Sequence, residues 1–359
     1  MTTSPQTSTD TTETDTDDID PTAHLPTLYR HTKRERWGLA LVVKKLDDRS
    51  DMIFQDGRRR TFHHDYYELL DPVDRPYDVT MDLVEALQSM VDDDEKPKLT
   101  NDPRKQPIKL DEQIAYLHEL FDGGFAAVDY EETHRGDGRK RPLKRHRDAI
   151  VEKAQAVLTK KALSKALRDG ELEEMHKAVS KVLKLTDLVP AKERRAFAKM
   201  DPKHYENVLS SLKALLYGES KLTGRMDAYT RVLEEAIDMT PSWGLVTVFL
   251  GTVMPNEYVV VEPDVYERQA KWMAPGLRCS DRPMGLLYER LMAMAKATRE
   301  RLEEKGLEPR DYLDVRDFMY ITLKPAGRKR IKQMRQERIK AQAMATPPSA
   351  EEKAEAEAA

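Results

Sequence analysis

The sequence predicts a mainly α-helical chain with a small β-barrel near its N-terminus and a multi-helix C-terminal domain. Three observations predict this. Short β-prone runs broken by tight-turn residues occupy positions 36–70, and the apolar period changes from two to about 3.6 from Thr80 onward. Charged residues reach 35% against 39% hydrophobic, which calls for helices with heavily charged outer faces or for disordered ends. With 359 residues the chain can hold one large or two ordinary domains.

Residues 1–25 mix Thr, Ser, Asp and Glu without a Lys or Arg. They are too polar to offset the entropy of ordering, so a disordered acidic tail is expected. The β module is expected at 26–75. Trp37 to Val43 reads as one strand, Asp47-Asp48-Arg49-Ser50 as a turn, and Met52-Ile53-Phe54 as a second strand. Asp56-Gly57 suits a type I′ hairpin, which needs positive φ at both central positions, and Arg60-Thr61-Phe62-His63 is the return strand. Tyr66 to Asp71 closes the module and Pro72 ends it.

Residues 76–150 read as a helical region containing a basic loop. Thr80 can cap a helix with Leu83, Leu87, Met90 and Val91 on one face, and Asp111 another with Ile114, Leu117 and Phe121. Residues 151–326 read as an α-helical domain. Asp201-Pro202 starts a helix carrying Tyr205, Val208, Leu209, Leu212 and Leu216, which stops at Gly218. Ser242 to Val253 is apolar on every side and predicts a central buried helix. Val259-Val260-Val261 is a short β-prone run, and Val265 to Trp272 a short helix. A long helix runs from Met284 to Lys305 before Gly306, and Asp311 starts another that ends near Leu323. Residues 327–359 continue as a basic helix extension into a disordered Ala/Glu tail. No constant repeat indicates a solenoid.

The net charge of −4 gives no global basic field, so any nucleic-acid footprint has to be local. His134 to Arg147 contains Arg135, Arg139, Lys140, Arg141, Lys144, Arg145 and Arg147 against Asp137 alone. It reads either as a solvated loop and helix start or as a phosphate-binding cluster, with Arg139, Lys140, Arg141, Lys144 and Arg145 as the binding residues. No aromatic lies within it to stack a base. Arg328-Lys329-Arg330, Lys332, Arg335, Arg338 and Lys340 form a second basic run, read as a solvated helix end or a basic arm.

Catalytic and cofactor sites are not expected. The Gly-Lys-Ser/Thr phosphate loop, the Gly-x-Ser-x-Gly elbow and His-Glu-x-x-His are absent from the sequence. The single cysteine, Cys279, forms no intrachain disulfide and reads as an inert core residue despite Arg278 beside it. A reducing, cytoplasmic compartment is expected, since Met1 to Thr22 lacks a signal-peptide pattern and no run is apolar enough for a bilayer. His63-His64-Asp65 has ligand-type residues, but neighbours on a strand face opposite ways, so no metal site is expected. Asp92-Asp93-Asp94-Glu95 lacks the spacing of a calcium loop. Trp243 and Trp272, with Met273, Met284, Met292 and Met294, read as core. The rival to a non-catalytic reading is a metal-dependent nuclease or hydrolase built on Glu262, Asp264, Asp311, Asp314 and Asp317.

Trp37-Gly38, Val42-Val43, Ile53-Phe54, Asp56-Gly57, Phe62 and Leu69 together resemble the bacterial SH3-like modules of CarD, of transcription-repair coupling factors and of the C-terminus of UvrD-type helicases. That resemblance implies an SH3-like barrel docking a protein partner or nucleic acid, with RNA polymerase or the repair machinery as the partner class. The binding residues would be Trp37, Phe54, Arg58, Arg59 and Tyr66. Pro241 to Thr247, Val260-Val261-Glu262-Pro263 and Pro309 to Val315 are similar to uncharacterised bacterial proteins, which implies a helical unit and no activity. The sequence thus reads as a non-catalytic adapter, with no membrane contact.

Overall fold

A computed structural model describes residues 26–73, 77–91, 102, 106–136, 138 and 140–345. Both expected tails, the acidic cluster at 92–95, Asp137 and Arg139 fall outside these residues. The chain is mainly helical, with a five-stranded antiparallel sheet at the N-terminal end. The strands are β1 (Leu28–His31), β2 (Leu39–Lys45), β3 (Arg49–Phe54), β4 (Arg59–His63) and β5 (Leu70–Val73), in the order β4-β3-β2-β1-β5. The first strand escaped the sequence reading, and Trp37 belongs to a 3-10 turn, Glu35–Trp37, rather than to β2.

The sheet is open. The edge strands β4 and β5 do not pair with each other, so the expected barrel closure is not seen. β5 is four residues long and contains Pro72, which has no N–H to donate, and the chain leaves β4 at His63 through a 3-10 turn, His64–Leu69. Both faces of the sheet are nonetheless buried, which is why Leu39 to Val43 is apolar without alternating. Leu28, Leu39, Leu41 and Ile53 join the main core beside Leu83 and Leu87. On the other face Ala40, Met52, Phe54 and Phe62 make a small core of their own, against which Tyr29, Trp37, Val42 and Leu70 pack.

The β3–β4 turn is not type I′. Gly57 has φ 76°, whereas Asp56 keeps negative φ. Gly57 N–H donates to Phe54 O (2.9 Å) and Phe54 N–H to Arg58 O (3.1 Å), so one left-handed glycine makes the turn. Asp56 is fully buried and held by Arg60 (2.6 Å) and by Arg290 (3.2 Å) from the helical region.

The helices are α1 (Tyr77–Gln88), α2 (Leu110–Leu120), a single turn α3 (Val128–Tyr130), α4 (Arg147–Val157), α5 (Lys160–Asp169), α6 (Leu172–Lys184), α7 (Ala191–Ala198), α8 (Tyr205–Tyr217), α9 (Leu222–Ile237), α10 (Trp243–Val253), α11 (Pro263–Met273), α12 (Gly285–Glu304), α13 (Tyr312–Leu323) and α14 (Pro325–Ala345). Thr80 lies inside α1 rather than capping it, and α2 starts at Leu110, where Lys109 N–H donates to Glu112 Oε2 (3.0 Å). Asp201 does cap its segment, through Lys203 N–H (3.0 Å), and a 3-10 turn leads into α8. Every residue of α10 from Trp243 to Thr252 is buried, as its all-round apolar pattern predicts. Val259 to Val261 are buried but join no sheet. Their backbone lies against Gly251, where an added Cβ would come within 2.6 Å of Val260 Cγ2, and Val261 N–H donates to Thr247 Oγ1 (3.0 Å). A close approach to α10 thus replaces a strand partner.

The hairpin tip docks the sheet onto the helices. Arg278 N–H donates to Gly57 O (3.2 Å), and a Cβ on Gly57 would come within 2.6 Å of Leu287 Cδ1 and 2.8 Å of Arg278 O. Gly57→Ala is therefore expected to destabilise the protein by about 2–4 kcal/mol, combining left-handed backbone strain with overpacking. Urea unfolding of the two proteins checks this, and a change under about 0.5 kcal/mol, the range of an ordinary surface substitution, would contradict the docking.

Candidate functional site

The basic cluster at 134–147 divides into two sets. Arg135 and Arg147 are buried, whereas Lys140, Arg141, Lys144 and Arg145 are exposed; Arg139 lies outside the described residues. Arg135 is carried inward by a π-helical turn, Glu131–Arg135, that ends at Gly136 with φ 88°. Its guanidinium spans Asp311 with two bonds (2.6 and 2.9 Å), and its Nε donates to Asp314 Oδ1 (2.8 Å). Tyr130 OH donates to the same Asp314 oxygen (2.8 Å), while Arg310 N–H donates to the other (2.8 Å). Asp311 also caps α13 as the sequence implied, accepting from Leu313 and Asp314 N–H.

Arg147 opens α4 and makes a second group. It donates to both oxygens of Asp317 (2.7 and 3.0 Å) and to Asp187 (2.7 Å). Arg316 donates to Asp317 (2.7 Å) and pairs with Glu262, which Lys324 also contacts. His134 lies 3.9 Å from Asp317 and stacks on Tyr130. The two clusters that the sequence offered as rival sites, the arginine-rich loop and the carboxylates of α13, therefore meet at their inward-facing members. Burial opposes the charge of Asp317, but Arg147 and Arg316 outweigh it and hold the carboxyl well below the usual range. At Asp314 burial pushes the carboxyl up against the pull of Arg135. Burial also opposes the charges of Arg135 and Arg147, yet their aspartate partners raise both above the usual guanidinium range.

The residues assigned to partner binding on the sheet also divide. Phe54 is wholly buried in the small sheet core and cannot touch a partner, which corrects its assignment. Trp37 is half-buried, edge-on to Phe54 at 5.4 Å, with the Arg60 guanidinium 4.1 Å above its ring. It plugs the curled face. Arg58, Arg59 and Tyr66 are exposed, Tyr66 at 58%, and Arg59 pairs with Asp51 (2.7 Å). Tyr67, missed in the sequence, is exposed beside Tyr66. Tyr67 OH lies 2.5 Å from Ser50 Oγ of β3, and no strand among the described residues pairs with the other edge of β4.

The argument from strand alternation fails at His63-His64-Asp65. β4 stops at His63, and the 3-10 turn brings both imidazoles to one side, with ring centroids 4.2 Å apart and each ring against Asp65. Cys279 is buried, and that burial pushes its thiol well above the usual range, the opposite of a reactive cysteine. Of the second basic run, Arg330 pairs with Glu119 (2.6 Å) and the buried Arg335 with Glu112 (2.5 Å), so α14 packs on α2 rather than extending α13 as a free arm.

Removing one partner of a buried pair costs more than removing both. Arg135→Ala is expected to cost about 3–5 kcal/mol, because Asp311 and Asp314 stay buried without their cation. The double variant Arg135→Ala/Asp314→Ala should lose less than the sum of the two single losses, which a double-mutant cycle in urea reads directly. The pH dependence has a definite sign. A depressed carboxyl stabilises the fold above its unfolded value, about 3.9, and loses that contribution as pH falls toward its folded value. The melting temperature should thus drop below about pH 4. Asp317→Asn, already less stable at neutrality, should show a shallower drop, and parallel curves would contradict the assignment.

No protein-family model, no curated protein and no solved structure matches the chain. What the chain does must be argued from its own residues.

Proposed function

We propose that this is a non-catalytic docking protein whose N-terminal sheet, an open SH3-like module, takes up an extended segment of a protein partner along β4. The observation that carries the reading is the edge of β4 that no described strand pairs with, on a sheet whose two faces are already buried, with Arg58, Arg59, Tyr66 and Tyr67 exposed at its two ends. A free strand edge offers a row of main-chain donors and acceptors, and strand addition uses them for affinity while neighbouring side chains select the sequence. Exposed tyrosines add contact area at low entropic cost. The strand order, with β5 returning beside β1 through a 3-10 turn, supports the SH3-like assignment. The transcription or repair machinery is the partner class that assignment favours, by analogy of fold.

The rival metal-dependent nuclease or hydrolase is less well supported. Its acids Glu262, Asp311, Asp314 and Asp317 already face guanidinium or ammonium groups, which supply the positive charge a catalytic metal would bring. A second binding surface is favoured by one observation. Lys140, Arg141, Lys144 and Arg145 lie within six residues, are exposed and are in no ion pair with another described residue, a pattern suited to phosphate.

The test uses a photo-crosslinking residue at position 66, with position 153 on the exposed face of α4 as control. A protein adduct from native cells is expected at 66 alone, resistant to nuclease and lost with Arg58→Glu/Arg59→Glu. Adducts that vanish with nuclease would move the function to the basic loop. There, Lys144→Ala should reduce the salt slope of binding by about one. Equal adducts at both positions would overturn the docking reading.

A further inference from the structure

The turn that ends β4 holds a cluster that the docking reading leaves unused. His63 Nδ1 lies 3.1 Å from Asp65 Oδ2, and His64 Nε2 lies 2.9 Å from Asp65 Oδ1. The other nitrogen of the His64 ring, Nδ1, faces the Asp48 carbonyl oxygen at 3.3 Å. A carbonyl can only accept, so Nδ1 carries a hydrogen, and Nε2 faces the carboxylate either as a second donor of an imidazolium or as the lone-pair nitrogen of the neutral ring. His63 Nδ1 lies nearer to Asp65 Oδ2 (3.1 Å) than to Asp65 N–H (3.5 Å). One nitrogen of each imidazole and a carboxylate oxygen thus converge within 4.8 Å of one another, and in the neutral rings those nitrogens are the metal-ligating ones.

We propose that His63, His64 and Asp65 bind one borderline divalent transition-metal ion, of which Zn²⁺ is the type. His63 Nδ1, His64 Nε2 and one Asp65 oxygen are the three protein donors, and water completes a tetrahedral set. Metal–donor bonds of about 2.0–2.1 Å put tetrahedral donors about 3.3 Å apart. The two nitrogens reach different oxygens of Asp65, at 3.1 and 2.9 Å, and the ligand atoms all lie within 4.8 Å of one another, so side-chain rotations that draw them together admit the ion. The Asp48 carbonyl supplies the outer-shell contact that fixes the tautomer and aim of a liganding histidine. That contact is itself fixed, because His64 N–H donates to the same oxygen (2.9 Å) and His63 pairs in register with Arg49. Two nitrogen donors favour zinc, nickel, cobalt or copper over the oxygen-seeking Mg²⁺ and Ca²⁺. His64 and Asp65 are exposed and His63 is half-buried, which gives an ion access from solvent.

The site does not depend on the docking reading, and its test needs no partner. Tag-free, chelator-treated full-length protein is titrated calorimetrically with Zn²⁺ alone and, separately, with Mg²⁺. One equivalent of Zn²⁺ is expected, with no Mg²⁺ response. His63→Asn and His64→Gln should each weaken Zn²⁺ binding at least tenfold while melting near the wild-type temperature, because both side chains sit at the surface. Imidazole ¹⁵N resonances of His63 and His64 should shift with the first equivalent. Absence of stoichiometric binding, binding that survives both substitutions, or equal binding of Mg²⁺ would each overturn the proposal. So would nitrogen shifts showing both rings doubly protonated and unresponsive to Zn²⁺.

Discussion

The structure depends on the pairing of α13 with two arginines from a distant segment. From Tyr312 to Met319 every residue of this helix is buried, and Asp314, Arg316 and Asp317 are among them. A helix with charges so placed can enter a core only if counter-charges arrive with it, since an isolated carboxylate in a low-dielectric interior is prohibitively costly. Arg135 and Arg147 supply them, one from a π-helical turn and the other from the start of α4. The energetics are asymmetric, because an intact buried pair is nearly neutral while half of one is strongly destabilising. The arrangement therefore penalises every other seating of α13 more than it rewards this one. The two arginines also fix the ends of the segment between them, and Lys140, Arg141, Lys144 and Arg145 are left exposed.

Asp56 repeats this logic on a smaller scale. Fully buried at the hairpin, it is satisfied by Arg60 within the sheet and by Arg290 from α12, so one carboxylate ties the β-module to the helices. With Gly57 pressed against Leu287 and Arg278, the tip of the hairpin becomes part of the core. The face that SH3-like reasoning would leave for a ligand is filled instead by Trp37, Phe54 and Phe62, whose rings meet at 5.4 to 6.5 Å.

Much of the helical layout was legible because local signals decide it. The all-round apolar run of α10, the Asp201-Pro202 start and the Asp311 cap each act within a few residues. The charge network was not legible, for a physical reason. Asp311, Asp314 and Asp317 recur every three residues, a spacing that serves a solvated helix face equally well, and their arginine partners lie about 170 to 180 residues away in sequence. Nothing local separates Arg135 from Arg141. Propensity was overridden at Val259–Val261, where Gly251 lets the backbone close on a helix instead of on another strand. The His63-His64-Asp65 geometry was lost although the strand's end at His63 was read correctly, because alternation was carried one residue past that end into the 3-10 turn.

The surface left for function follows from how the charges are spent. Carboxylates that might have held a catalytic metal neutralise buried arginines, and the one thiol lies in an environment that keeps it protonated. Residues with exposed aromatic, ligating or main-chain capacity instead gather between Arg58 and Tyr67, along an open sheet edge and the turn that follows it. An open edge is an aggregation hazard unless protected, and here charge guards it through Arg58, Arg59 and Asp65. The rest of the sheet is held by the helices on one face and by its own aromatic core on the other. A partner strand would therefore meet a template that is already ordered, and the entropy of fixing β4 need not be supplied at the moment of binding. On the proposed docking reading, the ordered edge and the exposed charged and aromatic residues at its ends are what would select the partner.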